Sequence, residues 1–377
     1  MKPVGRPEAA VGFPVACGTP IQIMTEKRIL IVKPSSLGDV VHTLPVVHAI
    51  KRRFPGCHIG WIVQRNFRAV IESDPSVDEI VPIDIPSTSD PLAARGAFLR
   101  AAIATSATLR QLRKRFRRAP YDLVLDLHAS FRSGLLGLAN PGGTRIWFPD
   151  AKELNTRFQD LLVELEPHKP HAVDKNLAFA AFLNCTLEPE DFRLVTSPES
   201  RRRVREFQAA EGCREGDRVV FCNPAARWST KLWTVDAWAR CADILIDATG
   251  ARVIFSGGPS DVPHIRAIVE RMKRRPVVAA GKLNLAEAAA LIEAADVYVG
   301  VDSGPMHIAA FVGTPVVALF GPTDPAKVGP YGQGHRVIRK EDLECLACRK
   351  RACANRRCLE EINPDTVVKE MVELLGW

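Results

Sequence analysis

The sequence predicts an α/β protein built from two doubly wound halves. Short, β-branched apolar runs alternate with helical stretches along both halves of the chain, which is the pattern of parallel strands buried on both faces. The 377 residues are too many for one ordinary core and fit two domains of roughly 150 to 190 residues each. With 46% hydrophobic and 25% charged residues, the composition indicates a globular protein rather than a disordered chain.

The elements of the first half follow in order from residue 28. The run RILIVK at 28–33 predicts a strand, and the loop PSSLGD leads from it into a helix predicted from Val40 to about Phe54. Helical segments also separate the strands that follow, which are predicted at 58–63, 79–83, 121–127 and 144–148.

The second half repeats this alternation after a polar, charged stretch near 186–217. Its strands are predicted at 218–223, 251–257, 275–281, 296–302 and 314–321, and its helices at about 234–248, 262–274, 285–295 and 304–312. Ligands of open parallel sheets bind at the carboxyl ends of the strands. We therefore expect the active site in the cleft between the halves, at the loops PSSLGD, NPAARWSTK, SGGPSD and VDSGPMH.

The first 24 residues show no strand or helix periodicity, and their apolar run is too broken for a secretory signal. We interpret 1–24 as a disordered extension, since Met24 stands directly before the first strong strand, and we expect a cytoplasmic protein. No apolar stretch reaches the roughly 18 to 20 residues that span a bilayer, so no transmembrane segment is predicted. The net charge of +8 is compatible with nucleic acid, an anionic membrane surface or an acidic substrate as partner.

The segment VDSGPMH at 301–307 is the most informative loop. A strand ends at Val301 and a helix opens at Asp302-Ser303-Gly304, so backbone N–H groups and the helix dipole favour an anion such as phosphate there. An ordinary Ser or Asp helix cap would use the same residues. Small-residue strand ends at 256–261 and 320–324 favour a nucleotide, and the absence of G-x-G-x-x-G after the first strand of either half argues against NAD.

Asp39 occupies the corresponding strand end of the first half, in KPSSLGD. The positive end of the helix dipole favours an ionised carboxylate at this position, and such a group could accept a proton from an attacking hydroxyl. A helix N-cap is the simpler alternative for Asp39.

Four segments together resemble the ADP-heptose:lipopolysaccharide heptosyltransferases, family 9 of the glycosyltransferases: KPSSLGDVVHTLP at 33–45, KLW at 231–233, VDSGPMHIAA at 301–310 and GPTDP at 321–325. The resemblance implies the GT-B fold, with two Rossmann-like domains facing each other across a cleft. The N-terminal domain at 25–190 would bind the acceptor and the C-terminal domain at 191–377 the nucleotide-sugar. The implied reaction is inverting transfer of a heptose from ADP-heptose to a hydroxyl of the lipopolysaccharide inner core, with no cofactor required for catalysis.

The resemblance also assigns residues by motif. Asp39 would be the general base, and Lys231 would neutralise the donor pyrophosphate. The donor-binding residues would be Asp261 at the ribose, Leu283 at the adenine, and Asp302, Ser303, Gly304 and His307 at the sugar and phosphates. Arg227 stands where the family has a small hydroxyl residue, and we expect it to contact the donor. The candidates for binding an acidic acceptor are Ser35, Ser36, Arg132, His171 and Lys175.

Four of the ten cysteines lie within fourteen residues: Cys345, Cys348, Cys353 and Cys358. Four thiolates at this spacing could bind one structural Zn or Fe ion, with neighbouring cations lowering the thiol pKa values. The spacing is tighter than in the usual two-knuckle sites, so one or two disulfides, or free thiols, are the alternatives.

The segment RQLRKRFRR at 110–118 has six basic residues and no acid. It could be a solvated helix face, or it could meet an anionic membrane surface or the acidic groups of a lipopolysaccharide core. The second interpretation places a peripheral protein on the inner face of the inner membrane.

Two rival hypotheses are a family-9 enzyme with a protein acceptor or another nucleotide-sugar donor, and a basic module that binds nucleic acid through 110–118 and the cysteines. The ordered donor-site motifs argue against the second rival, so we expect no nucleic-acid partner.

Overall fold

Two parallel six-stranded sheets organise the part of the chain that the computed structural model describes, residues 27–86, 96–150, 158 and 160–377. The predicted extension 1–24 lies outside these residues. The first sheet contains β1 (Arg28–Val32), β2 (His58–Gln64), β3 (Glu79–Ile83), β4 (Leu123–Asp126), β5 (Thr144–Trp147) and β6 (Leu161–Leu162). The second contains β7 (Val219–Asn223), β8 (Arg252–Phe255), β9 (Val277–Val278), β10 (Val297–Val301), β11 (Val316–Leu319) and β12 (Arg336–Ile338).

Helices connect the strands in both halves. The first five are α1 (Leu37–Val41), α2 (Leu44–Arg53), α3 (Ala97–Phe116), α4 (Phe131–Gly137) and α5 (Ala172–Phe182). They are followed by α6 (Pro198–Ala210), α7 (Val235–Thr249), α8 (Val262–Val269), α9 (Leu285–Glu293), α10 (Gly304–Val312), α11 (Pro325–Val328), α12 (Arg357–Glu360) and α13 (Pro364–Leu375). In the described ranges, no helix has the length and apolar character needed to cross a membrane.

The predicted α/β fold class is confirmed, because every strand pairing in the two sheets is parallel. The helix predicted from Val40 to about Phe54 is wrong in one respect, since the structure divides this region into α1 and α2. Pro45 has no N–H to donate to Val41, so the chain turns at His42 and restarts with the proline in the first turn of α2. The short strands β6 and β12 were not predicted, because two or three residues carry no periodic signal.

Alternation along the central strands divides the core into layers. In β1, Ile29 and Ile31 pack into one buried cluster, while Leu30 and Val32 face the opposite side of the sheet and pack into another. The first of these clusters continues into the second half through residues of α10 such as Phe311. The two halves therefore share buried apolar contacts where α1 packs on α10.

The two sheets have the same strand order. The first runs β3-β2-β1-β4-β5-β6, and the second, read from its other edge, runs β9-β8-β7-β10-β11-β12. In both, the order reverses beside the first strand, between β1 and β4 and between β7 and β10. Ligands of doubly wound sheets bind outside this reversal point. The topology therefore singles out the loops after β1, β4, β7 and β10.

Candidate active site

Asp39 lies in the first turn of α1, just beyond the carboxyl end of β1. Ser36, rather than Asp39, is the N-cap residue of this helix. The backbone N–H and the hydroxyl of Ser36 donate to Oδ2 of Asp39 at 2.8 and 2.7 Å. Burial alone would raise the pKa of Asp39, but Lys33, His42 and the Ser36 donors outweigh it and hold the pKa below its ordinary value. Because the side chain is still 41% exposed, an ionised carboxylate is open to a substrate.

Lys33 supplies the charge beside Asp39. It directly follows β1 and is only 7% exposed. Its Nζ donates to the carbonyl of Leu127 at 2.5 Å and lies 3.7 Å from Oδ1 of Asp39. Burial lowers the pKa of Lys33, while Asp39 and Asp126 act in the opposite direction. Lys33 thus connects the ends of β1 and β4 at the reversal point of the first sheet.

His42 and His307 join the two halves close to Asp39. Nε2 of His42 lies 2.9 Å from Nδ1 of His307, and the two rings meet edge to face. Burial lowers the pKa of both imidazoles, that of His307 to about 4. Both rings are therefore neutral near pH 7, and one donates its N–H to the other.

The helices α1 and α10 approach each other through glycine. A Cβ added at Gly38 would overlap the imidazole of His307, and one added at Gly304 would lie 2.6 Å from the side chain of Leu37. Each glycine therefore accommodates a side chain of the opposite half. This contact places the first turn of α1, which carries Asp39, against the opening of α10.

Lys231 is a cation at the carboxyl ends of the strands in the second sheet. It ends the short 3₁₀ helix Ser229–Lys231, and its Nζ donates to Oδ2 of Asp302 at 2.6 Å. The hydroxyl of Thr323 donates to the same carboxylate oxygen at 2.6 Å. The ammonium also lies 4.7 Å from the ring centroid of Trp228. Asp302 is buried, so it holds the Lys231 ammonium in place at this strand end.

Ser303 and Gly304 form the opening of the nine-residue helix α10. Ser303 is the N-cap residue, and the side-chain amide of Asn223, at the end of β7, donates to its hydroxyl at 2.8 Å. This bond joins the two central strand ends of the second sheet. The helix opening presents a positive dipole end at the reversal point, which suits a phosphate.

The remaining donor candidates follow other strands of the same sheet. Asp261 ends the 3₁₀ helix Pro259–Asp261 after β8, and its Oδ2 accepts from the backbone N–H of Gly258 at 2.8 Å. Leu283 lies between β9 and α9 and is half-buried against the core. Arg227 is exposed and has no polar partner among the residues that the structure describes. All three lie on the same sheet edge as Lys231.

A cavity of about 220 Å³ opens beside the Asp39 loop, and its lining includes Ser35, His128, Phe131 and Arg132. Burial lowers the pKa of His128, which is also hydrogen-bonded to the backbone of Ser35. A second cavity of about 510 Å³, lined by Tyr121 among others, lies at the amino ends of the strands. Its volume is larger, but it lies at the sheet edge opposite the reversal-point loops. We therefore take the cavity of about 220 Å³ as part of the candidate active site.

Three other candidates for binding the acceptor substrate, Ser36, His171 and Lys175, are not among the residues that line this cavity. Ser36 holds Asp39, as described above. His171 caps α5 and donates through Nε2 to the carbonyl of Gly329 at 3.1 Å, which ties α5 to the second half. The Nζ of Lys175 is paired with Asp150 at 2.7 Å.

The structure does not support a metal site at the four clustered cysteines. Within the described residues, no group of three or more His, Cys, Asp or Glu side chains is arranged to hold a metal ion. Cys345, Cys348 and Cys353 are exposed, and the thiol of Cys353 donates to the carbonyl of Asn355. All four thiols are free rather than paired in disulfides. Burial, followed by the three neighbouring thiols, raises the pKa of Cys358.

The cysteine segment instead packs against two loops of the donor side. The backbone N–H groups of Ala347 and Arg349 donate to carbonyls of the GPTDP loop at 3.2 and 2.7 Å. The hydroxyl of Thr230 donates to the carbonyl of Lys350 at 2.8 Å, and the guanidinium of Arg351 lies 4.7 Å from the ring centroid of Trp228. The segment 345–358 therefore supports the loops that carry Thr323 and Lys231.

Five residues that the structure places at the site are not among the predicted site residues: Lys33, His42, His128, Asn223 and Thr323. Four of them lie inside segments that had been singled out as motifs or loops, namely KPSSLGDVVHTLP, NPAARWSTK and GPTDP. The signal for His128 was its position directly after a buried strand.

Comparison with known proteins shows what this chain resembles. The model of glycosyltransferase family 9 (heptosyltransferase) matches residues 109–359. Lipopolysaccharide heptosyltransferase 1 of Pseudomonas aeruginosa is 27% identical over 368 residues, which cover 92% of this chain and 98% of that protein.

Two solved structures share the fold. The glycosyl transferase family 9 protein of Veillonella parvula has a TM-score of 0.78 and 24% identity, covering 94% of this chain and 98% of that one. The E. coli heptosyltransferase WaaC with ADP has a TM-score of 0.69 and 24% identity, covering 92% and 99%. These likenesses, with the two parallel sheets, confirm the expected GT-B fold class.

Proposed function

Because this chain belongs to glycosyltransferase family 9, we propose that it transfers a heptose from ADP-heptose to a hydroxyl of the lipopolysaccharide inner core. The heptosyltransferases among its relatives support this donor and acceptor. The observation that carries the proposal is the contact of α1 with α10. It brings the ionised carboxylate of Asp39 in one half next to the phosphate-binding helix opening of the other.

Asp39 is the general base in this proposal. The acceptor oxygen attacks the anomeric carbon of the heptose while its proton passes to the carboxylate of Asp39. The bond from the anomeric carbon to the diphosphate breaks, and its electron pair leaves with ADP. A single displacement of this kind inverts the anomeric configuration. The low pKa of Asp39 keeps it ionised near pH 7, so it accepts the proton only as the attacking hydroxyl becomes acidic.

The second half stabilises the departing ADP. Lys231 and the opening of α10 at Ser303 and Gly304 supply positive charge at the diphosphate, so no cofactor is assigned a role. Asp302 keeps the Lys231 ammonium in place through their 2.6 Å contact. Asp261 and Leu283 would bind the ribose and the adenine, and Arg227 and His307 complete the donor set.

The first half binds the acceptor. We assign residues 25–190 to this domain and 191–377 to the donor domain. Arg132 in the cavity of about 220 Å³ supplies a cation for an acidic core sugar, and Ser35 supplies a hydroxyl. His171 and Lys175 lie further from this cavity and act on the acceptor side. A lipid-linked acceptor places the enzyme at the cytoplasmic face of the inner membrane as a peripheral protein.

Turnover of purified protein, measured as ADP release with ADP-heptose and a lipopolysaccharide-core acceptor, tests the proposal. Asp39→Asn keeps an acceptor for the Ser36 donors but removes the base, so we expect kcat to fall by about a hundredfold or more. ADP should bind this variant with nearly wild-type affinity. Asp247→Asn, in an exposed ion pair on α7, is the matched control and should retain full turnover.

Two results would overturn parts of the proposal. If Asp39→Asn retains more than about a tenth of wild-type kcat, Asp39 is not the base. If ADP is released from another nucleotide-sugar but not from ADP-heptose, or only with a protein acceptor, the substrate assignment is wrong and the rival family-9 function replaces it.

A further inference from the structure

The outward face of α3 combines exposed apolar and cationic side chains. Leu99 and Ile103 are 66% and 62% exposed, the two most exposed large hydrophobic side chains among the described residues. One turn separates them, so they share a side of the helix. The opposite side is buried, with Leu112 and Phe116 packed into the core of the first half. Leu99 and Ile103 therefore form an apolar strip that packs on nothing in the described structure.

Cations continue the same side of the helix towards its C-terminal end. Seven, ten, eleven and fourteen residues after Ile103, this side carries four exposed basic residues: Arg110, Arg113, Lys114 and Arg117, the last of which directly follows α3. Within the described part of the chain none of the four has an ion pair, whereas Arg115, on another side, is paired with Glu79 at 2.6 Å. The face defined by Leu99, Ile103 and these four cations is thus positively charged and matches an anionic partner.

The orientation of α3 relates this face to the active site. Because α3 follows the parallel strand β3, it begins at the carboxyl edge of the sheet and ends at the opposite edge. Its apolar end therefore lies at the edge that carries Asp39. Phe131, 40% exposed, begins α4 at this same edge and lines the cavity of about 220 Å³. Leu99, Ile103 and Phe131 thus all lie towards the sheet edge that carries Asp39 and this cavity.

We propose that the outward face of α3 docks on an anionic lipid bilayer. Leu99 and Ile103 insert between the headgroups, and the four cations contact lipid phosphates along the membrane plane. Exposed Leu and Ile side chains beside cations favour this partner over nucleic acid, because a bilayer offers apolar chains beneath its charged headgroups, whereas the outer surface of a nucleic acid is its phosphate backbone. The inference deepens the proposed function, in which the acceptor is carried by a lipid, because docking brings the acceptor cavity to the membrane surface.

Co-sedimentation of the full chain with vesicles tests this docking. We expect binding to phosphatidylcholine vesicles that contain phosphatidylglycerol, little binding to phosphatidylcholine alone, and weaker binding at high salt. The variant R110Q/R113Q/K114Q/R117Q should bind anionic vesicles at least about tenfold more weakly. Leu99→Ser combined with Ile103→Ser should also weaken binding, and more so at high salt, where the apolar contribution dominates.

The matched control removes the same charge from the other half. R201Q/R202Q/R203Q/R205Q replaces four exposed arginines of α6 and should leave vesicle binding unchanged. Docking through α3 is refuted if this control weakens binding as much as the α3 variant, or if wild-type protein ignores anionic vesicles.

Turnover with a soluble, deacylated acceptor separates this inference from the proposed function. The α3 variants should retain that turnover, which also shows that they are folded. Vesicle binding that depends on α3, without any turnover of ADP-heptose, would refute the proposed function and support the docking. Turnover of ADP-heptose without vesicle binding would support the proposed function and refute the docking.

Discussion

Replacing Lys33 with Met tests the electrostatic argument at Asp39. The Lys33 ammonium lies 3.7 Å from Oδ1 of Asp39 and favours the ionised carboxylate. Without this cation the pKa of Asp39 should rise, because burial, which acts in the raising direction, would be less strongly opposed. Below its pKa a protonated Asp39 has no capacity to accept a proton. The acid limb of the pH profile of kcat/KM should therefore move to higher pH.

The size of this shift follows from the distance and the exposure. Two unit charges about 4 Å apart interact by about 4 kcal/mol at an effective dielectric constant of 20 and by about 1 kcal/mol in water. Asp39 is partly exposed, so solvent screening places the interaction nearer the lower value. About 1 to 2 kcal/mol corresponds to a rise of about one pKa unit.

Two measurements report the shift. Carboxyl NMR titration of Asp39 gives its pKa directly, and kcat/KM measured against pH gives the functional limb. Lys33→Arg keeps the charge and is the control, with a pKa expected near that of wild type. Lys33→Met also deprives the Leu127 carbonyl of its donor, so a loss of about 1 to 3 kcal/mol of stability is expected. If the folded Met variant titrates at Asp39 as wild type does, Lys33 does not set this ionisation.

Two further changes probe the donor side and the contact between the halves. Asp302→Asn removes the partner of a mostly buried Lys231, so stability should fall by about 3 kcal/mol in urea denaturation and ADP should bind less well; unchanged ADP affinity would mean that Asp302 does not position Lys231. Gly38→Ala would force a methyl group into the His307 ring, so we expect a loss of about 1 to 3 kcal/mol and slower turnover. Gly137→Ala in α4, where a Cβ would be 3.4 Å from its nearest neighbour, should leave stability and turnover unchanged. If the two alanine variants have equal effects, the close packing of Gly38 against His307 is not the cause.

The sequence was informative wherever the signal is local. Buried runs of β-branched residues predicted the central strands, and strand ends rich in Gly, Ser and Asp predicted the loops that hold Asp39 and Asp302. The break between α1 and α2 was missed because the apolar pattern continues across Pro45. The tight spacing of the four cysteines predicted that their thiols lie close together, but the structure gives the structural metal no support among the described residues.

Contacts between distant segments leave no local signal in the sequence. His42 and His307 are 265 residues apart, and no periodicity in either segment indicates that they meet. Lys33 looked like the polar end of a strand, although the fold buries it between two strand ends. The pairing of Lys231 with Asp302 likewise depends on how β7 and β10 lie side by side.

The reciprocal fit of Gly38 with His307 and of Gly304 with Leu37 limits how this enzyme can be recombined. A chimera that joins the first half of this chain to the second half of a relative would preserve the fit only with glycine at the position of Gly304 and a ring no larger than imidazole at that of His307. In the reciprocal chimera, the first half of the relative would need glycine at the position of Gly38 and a side chain no larger than leucine at that of Leu37. The acceptor-binding and donor-binding halves therefore cannot be exchanged freely between relatives, because the side chains of each half pack against glycines of the other.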